Sequence, residues 1–373
     1  MTIRIVPHEE RWRTEVEAFN ERMQAGGSKW GFYRDPVPDW IPKRDGQSVW
    51  REYHLAVEDE QLVRGGFALK PQDWLIDGQR HVVTDWQGPF TEGAYDSRFA
   101  ALGLRIVREM LKMRPLLYSW GHGGEDEPIV KMLRTMGWLM HETPFLLRVV
   151  KPFRFLRHNR HLRSSPRRRL ALDLAAFSGA GAAGLRALSA AQRLRHGRRF
   201  AATGEVVDSF GGWADELWDA VQGEYRAIAV RDAAAMNALI PAVGWPPAIR
   251  LRVHSAGRSV GWAAVLDSSM RDDPRFGSLR VGSIVDCLAR PADAGLVVAA
   301  AWRFLRDRGV DLVVSNQAHP DWVSGFAANG FTIVPNRRIF AASPQLAAHL
   351  APIEEVGRGL HLTNMDGHGP MAL

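Results

Sequence analysis

Two acidic side chains of this sequence close apolar runs, and a third lies in a loop. Asp85 closes a run that begins at residue 82, Asp286 closes a run that begins at residue 284, and Glu92 lies in a loop before Gly93. A carboxylate at such a position can accept a proton from a reacting group. We predict Glu92 and Asp286 as catalytic bases, with a helix N-terminal acid as the alternative for Glu92 and a buried, hydrogen-bonded acid as the alternative for Asp286.

Two further stretches follow apolar runs that are predicted as strands. The first contains Gly121, His122, Gly123 and Gly124, whose backbone can approach a ligand closely, and we predict it as a phosphate cradle, with a tight structural turn as the alternative. The second contains Asn316, Gln317 and His319. We expect Asn316 and Gln317 to bind amide groups of a ligand and His319 to carry a proton, with a strand-end cap as the alternative.

Aromatic and proline residues crowd the segment between residues 26 and 53, with charged residues beside them. Flat rings with nearby charges suit a sugar or a nucleotide-sugar, so we predict Trp30, Tyr33 and Trp40 as substrate-binding residues. Packing of the same rings under a long loop is the alternative.

The net charge of +7 is concentrated in one window of the 373-residue chain. Residues 151–200 contain thirteen basic residues and one acid, Asp173, and carry +12, so the remaining residues together carry −5. We predict contact with an anionic surface through Arg160, Arg163, Arg167, Arg168 and Arg169. Anionic lipid is the first interpretation, nucleic acid including tRNA is the second, and a solvated linker is the third.

Cysteine usage and apolar runs limit the compartment and the class of protein. The single cysteine, Cys287, excludes an intramolecular disulfide and a cysteine-based zinc site, and we expect no metal. Residues 1–16 have no apolar signal region, and the run 174–185 is shorter than the roughly 20 residues of a spanning helix. We therefore expect a cytoplasmic protein, with membrane contact at its surface alone.

The same order of elements occurs in both halves of the chain. Each half contains a hairpin, an apolar strand ending in an acid, an amphipathic helix, a strand, a helix that ends at a glycine-aromatic step, and a final strand. The copies are offset by about 195 residues, which indicates a duplicated α/β unit. We predict domains at 1–150 and 200–345, a basic amphipathic connector at 151–199, and a tail at 346–373 that folds back near a site or frays.

This element order resembles the GNAT acyltransferase fold, and its tandem arrangement resembles the Fem-type peptidoglycan bridge transferases. The resemblance covers about residues 1–150 and 200–344. It implies an α/β protein of two tandem GNAT-like mixed-sheet domains joined by a basic helical connector, with acetyl-CoA, another acyl-CoA or an aminoacyl-tRNA as donor. GNAT enzymes hold the CoA pyrophosphate on a Gln/Arg-x-x-Gly-x-Gly/Ala loop, and the stretches at 91–98 and 292–295 depart from that pattern.

From the resemblance and the acids we predict an acyltransferase. It would move an acyl group to an amine or hydroxyl of an envelope or glycoconjugate precursor, with Glu92, Asp286 and His319 in proton transfer. The alternative is a catalytically inactive tandem pair that binds or scaffolds at the membrane surface, as the departing loops would allow. A nucleic-acid binder acting through the connector is a third possibility.

Overall fold

A computed structural model describes residues 2–121, 126–196, 200–352, 355, 359–367 and 369. The chain forms two compact units. Unit 1 comprises Met1–His141 with Ile339–Ala351, and unit 2 comprises Glu142–Arg338 with Pro352–Leu373. These limits differ from the predicted boundaries at residues 150 and 345, because the last strand of each half of the sequence pairs with a strand of the other half.

The elements alternate between strands and helices through both halves. The first half contains β1 (Ile3–Pro7), α1 (Arg13–Ala25), β2 (Glu52–Glu58), β3 (Leu62–Ile76), β4 (Gln79–Thr91), α2 (Leu102–Met113), β5 (Leu117–Trp120), α3 (Pro128–Thr135) and β6 (Leu139–Val149). The connector contains α4 (Pro152–His158), α5 (Pro166–Phe177) and α6 (Ala180–His196). The rest contains β7 (Thr203–Val207), α7 (Gly212–Val221), β8 (Ala227–Ala229), α8 (Ala233–Leu239), β9 (Ile249–Ser255), β10 (Arg258–Ser269), β11 (Arg280–Ala289), α9 (Ala294–Asp307), β12 (Leu312–Asn316), α10 (Pro320–Ala328), β13 (Thr332–Ala342) and α11 (Pro344–His349).

Each unit is built on a mixed sheet, and the two sheets have equivalent strand orders. In unit 1 the order is β1-β2-β3-β4-β5-β13, and in unit 2 it is β7-β9-β10-β11-β12-β6. β4 is parallel to β5 and β11 is parallel to β12, whereas the other pairs along the two orders that the structure records are antiparallel. The predicted duplication of the α/β unit is therefore confirmed.

The last strand of each sheet comes from the opposite half of the sequence. β13 pairs with β5 through Phe340↔Trp120 and Ala342↔Tyr118, and so completes unit 1. β6 pairs with β12 and so completes unit 2. The Ser343 hydroxyl, just after β13, accepts a hydrogen bond from the N–H of Leu117 at 3.2 Å, which fixes the exchanged strand beside β5.

Side-chain alternation along the strands creates a core on each face of the unit 1 sheet. Phe67 and Leu69 of β3 pack in the cluster that contains Ile106 of α2. Ala68, between them, packs in the cluster that contains Phe19 of α1. Because successive strand residues point to opposite faces, the two-residue period places α1 and α2 on different sides of the sheet.

The connector helices pack into unit 2. Phe155 and Leu156 of α4 and Ala176 of α5 share an apolar cluster with Leu312 and Val314 of β12. The predicted separate connector is thus part of the core of unit 2, although its exposed side remains basic. Among the helices of the described ranges, none combines the length and the apolar character needed to cross a membrane.

The exchange of strands predicts that a residue near position 340 stabilises unit 1. Phe340 is fully buried, and its ring centroid lies 5.3 Å from that of Tyr118. We expect Phe340→Ala to lower the free energy of unfolding by about 3–5 kcal/mol, measured by urea denaturation, and to reduce hydrogen-exchange protection in β5. The matched control is Ile333→Ala in the same strand, at a side chain that is 46% exposed. Equal effects of the two substitutions would contradict the exchange.

Candidate functional site

The parallel strands of unit 2 separate at the place where the sequence predicts ligand binding. β11 and β12 pair from Val281↔Leu312 to Ile284↔Ser315 and then diverge. The segment 359–367 lies beside the diverging end of β12, because Thr363 pairs with Gln317, the residue after β12. Side chains from Leu360 to Asp366 are at most 2% exposed. The chain itself therefore occupies this position in unit 2.

A buried arginine ties that segment to the sheet. Arg231 Nε donates to Asp286 Oδ1 at 3.1 Å, and its Nη2 donates to Asp366 Oδ2 at 2.7 Å. The Thr363 hydroxyl donates to Asp286 Oδ1 at 3.0 Å, and the remaining Arg231 nitrogen, Nη1, donates to the carbonyl of Ala229. The three charged side chains are at most 1% exposed. One cation is thus shared by two carboxylates inside the core.

Burial changes the proton affinity of the central acid. It raises the pKa of Asp286 to about 6, against the opposing effect of Arg231. The carboxyl group faces the Arg231 guanidinium, and it also accepts a hydrogen bond from the Cys287 N–H at 2.8 Å. With its oxygens occupied and no exposed surface, Asp286 holds the fold in this conformation. Its predicted role as a base would require segment 359–367 to leave.

The polar residues at the end of β12 form caps. Asn316 donates to the carbonyl of Pro144 at 3.2 Å, and Gln317 accepts a hydrogen bond from the N–H of His319 at 3.2 Å. The Nδ1 of His319 accepts a hydrogen bond from the N–H of Asp321 and so caps α10, and burial lowers the pKa of His319. All three predicted ligand-binding or proton-carrying residues are at most 4% exposed, which favours the strand-end cap.

His361 is a residue that sequence reasoning did not single out. Its ring is fully buried and edge-on to Tyr225, at 4.9 Å between centroids. Burial, with the nearby Arg231 second, lowers the pKa of His361 well below its ordinary value, so the ring is neutral. No periodicity marks this position, because the segment has no regular pattern of its own.

In unit 1 the parallel strands also diverge, and a different polar cluster lies at that place. β4 and β5 pair at Thr84↔Leu117 and Asp85↔Tyr118, and Gln87 lies two residues beyond the last pair. The Tyr33 hydroxyl donates to Gln87 Oε1. Arg51 Nη2 donates to the Tyr33 oxygen at 2.8 Å and to Gln87 Oε1 at 2.9 Å.

Aromatic rings surround the Arg51 guanidinium. Its central carbon lies 5.0 Å from the ring centroid of Tyr33 and 5.6 Å from those of Trp40 and Tyr53. Arg51 is 7% exposed and forms no ion pair among the described residues. The structure thus brings Tyr33 and Trp40 together around Arg51, whereas Trp30 is 70% exposed and is not part of this cluster. Sequence reasoning missed Arg51 and Gln87, although Arg51 lies within the aromatic-rich segment 26–53.

Glu92 lies in a buried ion-pair cluster. Its Oε1 accepts from Arg22 Nε at 2.6 Å and its Oε2 from Arg64 Nη1 at 2.8 Å, and the side chain is 3% exposed. Arg64 also bridges to Glu58 at 2.7 Å. Both oxygens that would accept a proton are therefore occupied by cations, and these contacts favour a structural role.

The predicted phosphate cradle is described in part. Gly121 has φ of 107°, a backbone conformation that favours glycine, and its N–H donates to the carbonyl of Ile339 at 3.3 Å. His122, Gly123 and Gly124 lie outside the described residues. Where the structure describes the chain, no group of three or more His, Cys, Asp or Glu side chains is arranged to hold a metal ion.

The predicted surface arginines have different partners. Arg163 forms an ion pair with Asp173 at 2.5 Å, Arg168 donates to the Ser164 hydroxyl, and Arg169 donates to the carbonyl of Arg163. The other two predicted arginines, Arg160 and Arg167, are exposed, and Arg160 donates to the carbonyl of Asp272. Contact of this surface with an anionic membrane stays a prediction.

Comparisons with protein-family models and with curated proteins find no match. Among solved structures, the chain is similar to a GCN5-related N-acetyltransferase from Anabaena variabilis, with a TM-score of 0.50 and 13% identity over 91% of this chain and 72% of that chain. It is also similar to Saccharomyces cerevisiae N-myristoyltransferase with bound myristoyl-CoA, with a TM-score of 0.51 and 9% identity over 92% and 78% of the two chains.

The fold is GNAT-like. Both units follow the GNAT-like order of elements, and the diverging parallel pair is β4 with β5 in unit 1 and β11 with β12 in unit 2. The two GNAT-like units differ at this pair. Segment 359–367 lies there in unit 2, whereas the Tyr33, Arg51 and Gln87 cluster lies there in unit 1.

The shared cation of unit 2 predicts a large effect of one substitution. Arg231→Met would leave Asp286 and Asp366 as unneutralised buried acids, and we expect the free energy of unfolding to fall by about 3–5 kcal/mol. Urea denaturation measures this loss, and hydrogen exchange should show protection disappearing in 360–366. The matched control is Arg290→Met, which breaks an exposed pair with Glu224 and should cost less than about 1 kcal/mol. A loss no larger than in the control would show that the network does not hold the segment.

Proposed function

We propose that the protein is an acyltransferase that takes its acyl group from a CoA thioester and transfers it in unit 1. The GNAT-like fold supports this proposal, since the similar solved structures are an N-acetyltransferase and an N-myristoyltransferase with myristoyl-CoA bound. The observation that carries it is the Tyr33, Arg51 and Gln87 cluster at the diverging strands of unit 1. The acceptor is an amine or a hydroxyl, and an envelope or glycoconjugate precursor is the acceptor that the aromatic loop suggests.

Unit 2 is the less suitable place for a thioester donor. Segment 359–367 occupies the diverging end of its sheet. At the start of α9, a Cβ on Gly295 would lie 2.3 Å from the Phe200 ring, so that ring covers the first turn. A cavity of about 400 Å³ lies beside Gly295, and among the described residues the one charged side chain that lines it is Asp321. These residues do not fit a pyrophosphate.

The start of α2 in unit 1 fits an anionic group better. No side chain caps this helix at its N-cap residue, Ala101, so its first backbone N–H groups are not used by a cap. A Cβ on Gly103 would meet only Pro89, at an ordinary 3.5 Å. The nearby acids Glu92 and Asp96 are neutralised by arginines and would not repel phosphate strongly. We propose that this turn holds the CoA pyrophosphate.

The cluster at Arg51 supplies groups for the transfer step. A C–N or C–O bond forms between acceptor and acyl carbon, the C–S bond breaks, and the CoA thiolate leaves with the electron pair. We propose that the Tyr33 hydroxyl gives its proton to that thiolate and regains a proton from the acceptor nitrogen or oxygen that has formed the new bond, while Arg51 faces the oxygen left with negative charge and positions Tyr33 and Gln87. Glu92 is the less favoured acceptor for the proton of the nucleophile, because it would first have to release Arg22 or Arg64.

Binding of the donor tests the assignment to unit 1. We expect calorimetry with acetyl-CoA and longer acyl-CoA esters to show one site per chain. Gly103→Glu places a carboxylate in the first turn of α2, and we expect at least about tenfold weaker binding, since like charges repel and the helix N-terminus is an anion site.

The matched control for donor binding is Gly212→Glu. Gly212 begins α7 in unit 2, and a Cβ there meets nothing within 4 Å, so the same charge is added to another helix start without strain. The control should bind as the unaltered protein does. No heat with any CoA ester would reject the proposed donor, and equal weakening in both variants would reject unit 1 as its place.

The Arg51 cluster gives a prediction for the rate. Arg51→Met should lower kcat by at least about tenfold while the KM for the acyl-CoA changes little, because Arg51 faces the oxygen that becomes negative in the transfer step and positions Tyr33 and Gln87. Thiol release with a panel of amines and alcohols measures it. Arg51→Lys should recover part of kcat, and Lys43→Met, at an exposed residue of the same loop, should leave it unchanged. A change in the KM for the acyl-CoA with kcat unaltered would contradict this role of Arg51.

A further inference from the structure

A second pocket, of about 200 Å³, lies in unit 2 among β6, α6 and α9. Arg148 of β6 and Trp302 of α9 line it together with Arg186, Ser189 and Arg193 of α6. The three α6 residues recur at steps of three and four and therefore share one face of that helix. Arg306, one turn after Trp302 on α9, completes the lining.

Arg148 is a buried cation, and it has no acidic partner among the described residues. It is 9% exposed, its guanidinium carbon lies 3.4 Å from the ring centroid of Trp302, and it donates to the carbonyl of Asn329. Burial, together with the charges of Arg193, Arg306 and Arg303, lowers the pKa of Arg148 to about 9. An arginine held under these conditions is stabilised by any anion that reaches it.

The pocket has an excess of positive charge. Four arginines line it, and among the described residues only Arg306 has an ion-pair partner, the neighbouring Asp307 at 2.7 Å. The charge of Arg303 also acts on Arg148. Arg303 donates to the backbone carbonyl of Phe200, which carries no charge to offset that of the pocket. Like charges held this close repel unless an anion lies between them.

The fold places the α6 face beside the pocket by a close backbone contact. Gly330 has φ of 81°, and a Cβ on it would lie 3.0 Å from the carbonyl oxygen of Ser189 and 3.4 Å from Cγ of Arg193. The glycine therefore lets α6 approach the turn after α10, which fixes the position of the two α6 residues. Packing therefore holds the arginines of this helix near Arg148, and in the part of the chain that the structure describes neither Arg186 nor Arg193 has an ion-pair partner.

We propose that this pocket binds a phosphate monoester. Arginine recognises phosphate oxygens through paired N–H donors, and the Ser189 hydroxyl is a further donor. The volume is below the roughly 300 Å³ of a typical pocket for a drug-sized ligand, so it suits a phosphate group with a small substituent. The proposal does not rest on acyl transfer, because none of these residues belongs to the Arg51 cluster.

Calorimetry on the full chain tests the site with inorganic phosphate and glycerol 3-phosphate at low salt. We expect a Kd below about 1 mM that rises with added NaCl. Arg148→Met and Arg193→Gln should each weaken binding at least about tenfold. Arg193 is exposed, so Arg193→Gln tests the site even if Arg148→Met alters folding. The control is Arg195→Gln, at an exposed α6 residue that does not line the pocket, and it should bind normally.

Vesicles distinguish the source of the phosphate group. Phosphatidic acid presents a monoester, whereas phosphatidylglycerol presents a diester, and the two are compared at equal surface charge. Binding of glycerol 3-phosphate alone would assign the site to a free metabolite, and retention by phosphatidic acid that Arg193→Gln abolishes would assign it to a lipid headgroup. Both results support the proposal. The proposal would be overturned if the protein bound neither glycerol 3-phosphate nor phosphatidic acid vesicles, or if Arg195→Gln weakened binding as much as Arg193→Gln. Retention of RNA without phosphate binding would also overturn it.

Discussion

Two parallel strands that diverge leave backbone N–H and C=O groups without partners, and a buried group of this kind has to find another. Unit 2 meets this constraint with its own chain. The N–H of Ala318, after β12, donates to the carbonyl of Leu362 at 3.2 Å, and the N–H of His361 donates to the carbonyl of Ala227 at 2.9 Å. Segment 359–367 thus acts as a short added strand, and it brings Asp366 to Arg231.

The ion pair between Arg231 and Asp366 determines which segment of the chain lies beside β12. A segment without a carboxylate would give the backbone its hydrogen bonds and would still leave Arg231 with one acid. Because a buried charge without its partner is costly, the position of Asp366 fixes which residues lie beside β12. Segment 359–367 thus lies in unit 2 at the place where the Tyr33, Arg51 and Gln87 cluster lies in unit 1.

Three buried arginines show how partners decide the role of one residue type. Arg231 has two carboxylates and holds the fold. Arg51 has aromatic rings and two neutral oxygens as neighbours, and it is the arginine for which we propose a role in acyl transfer. Arg148 has a tryptophan ring, one carbonyl and further arginines, so its charge favours an anion from outside the chain. The residue type alone does not distinguish these three environments, since all three positions are arginine.

The sequence by itself determined the local structure. Period-two and period-3.6 patterns specify the strands and helices of both halves, and the duplicated order identified the GNAT-like fold, because these signals arise between near neighbours. The partners over long distances were decided by the tertiary structure alone. Arg22 lies 70 residues from Glu92, and β13 pairs with a strand more than 200 residues earlier. Such contacts pair both predicted bases, Glu92 and Asp286, with arginines. Packing against β12 makes part of the basic connector a component of the core of unit 2.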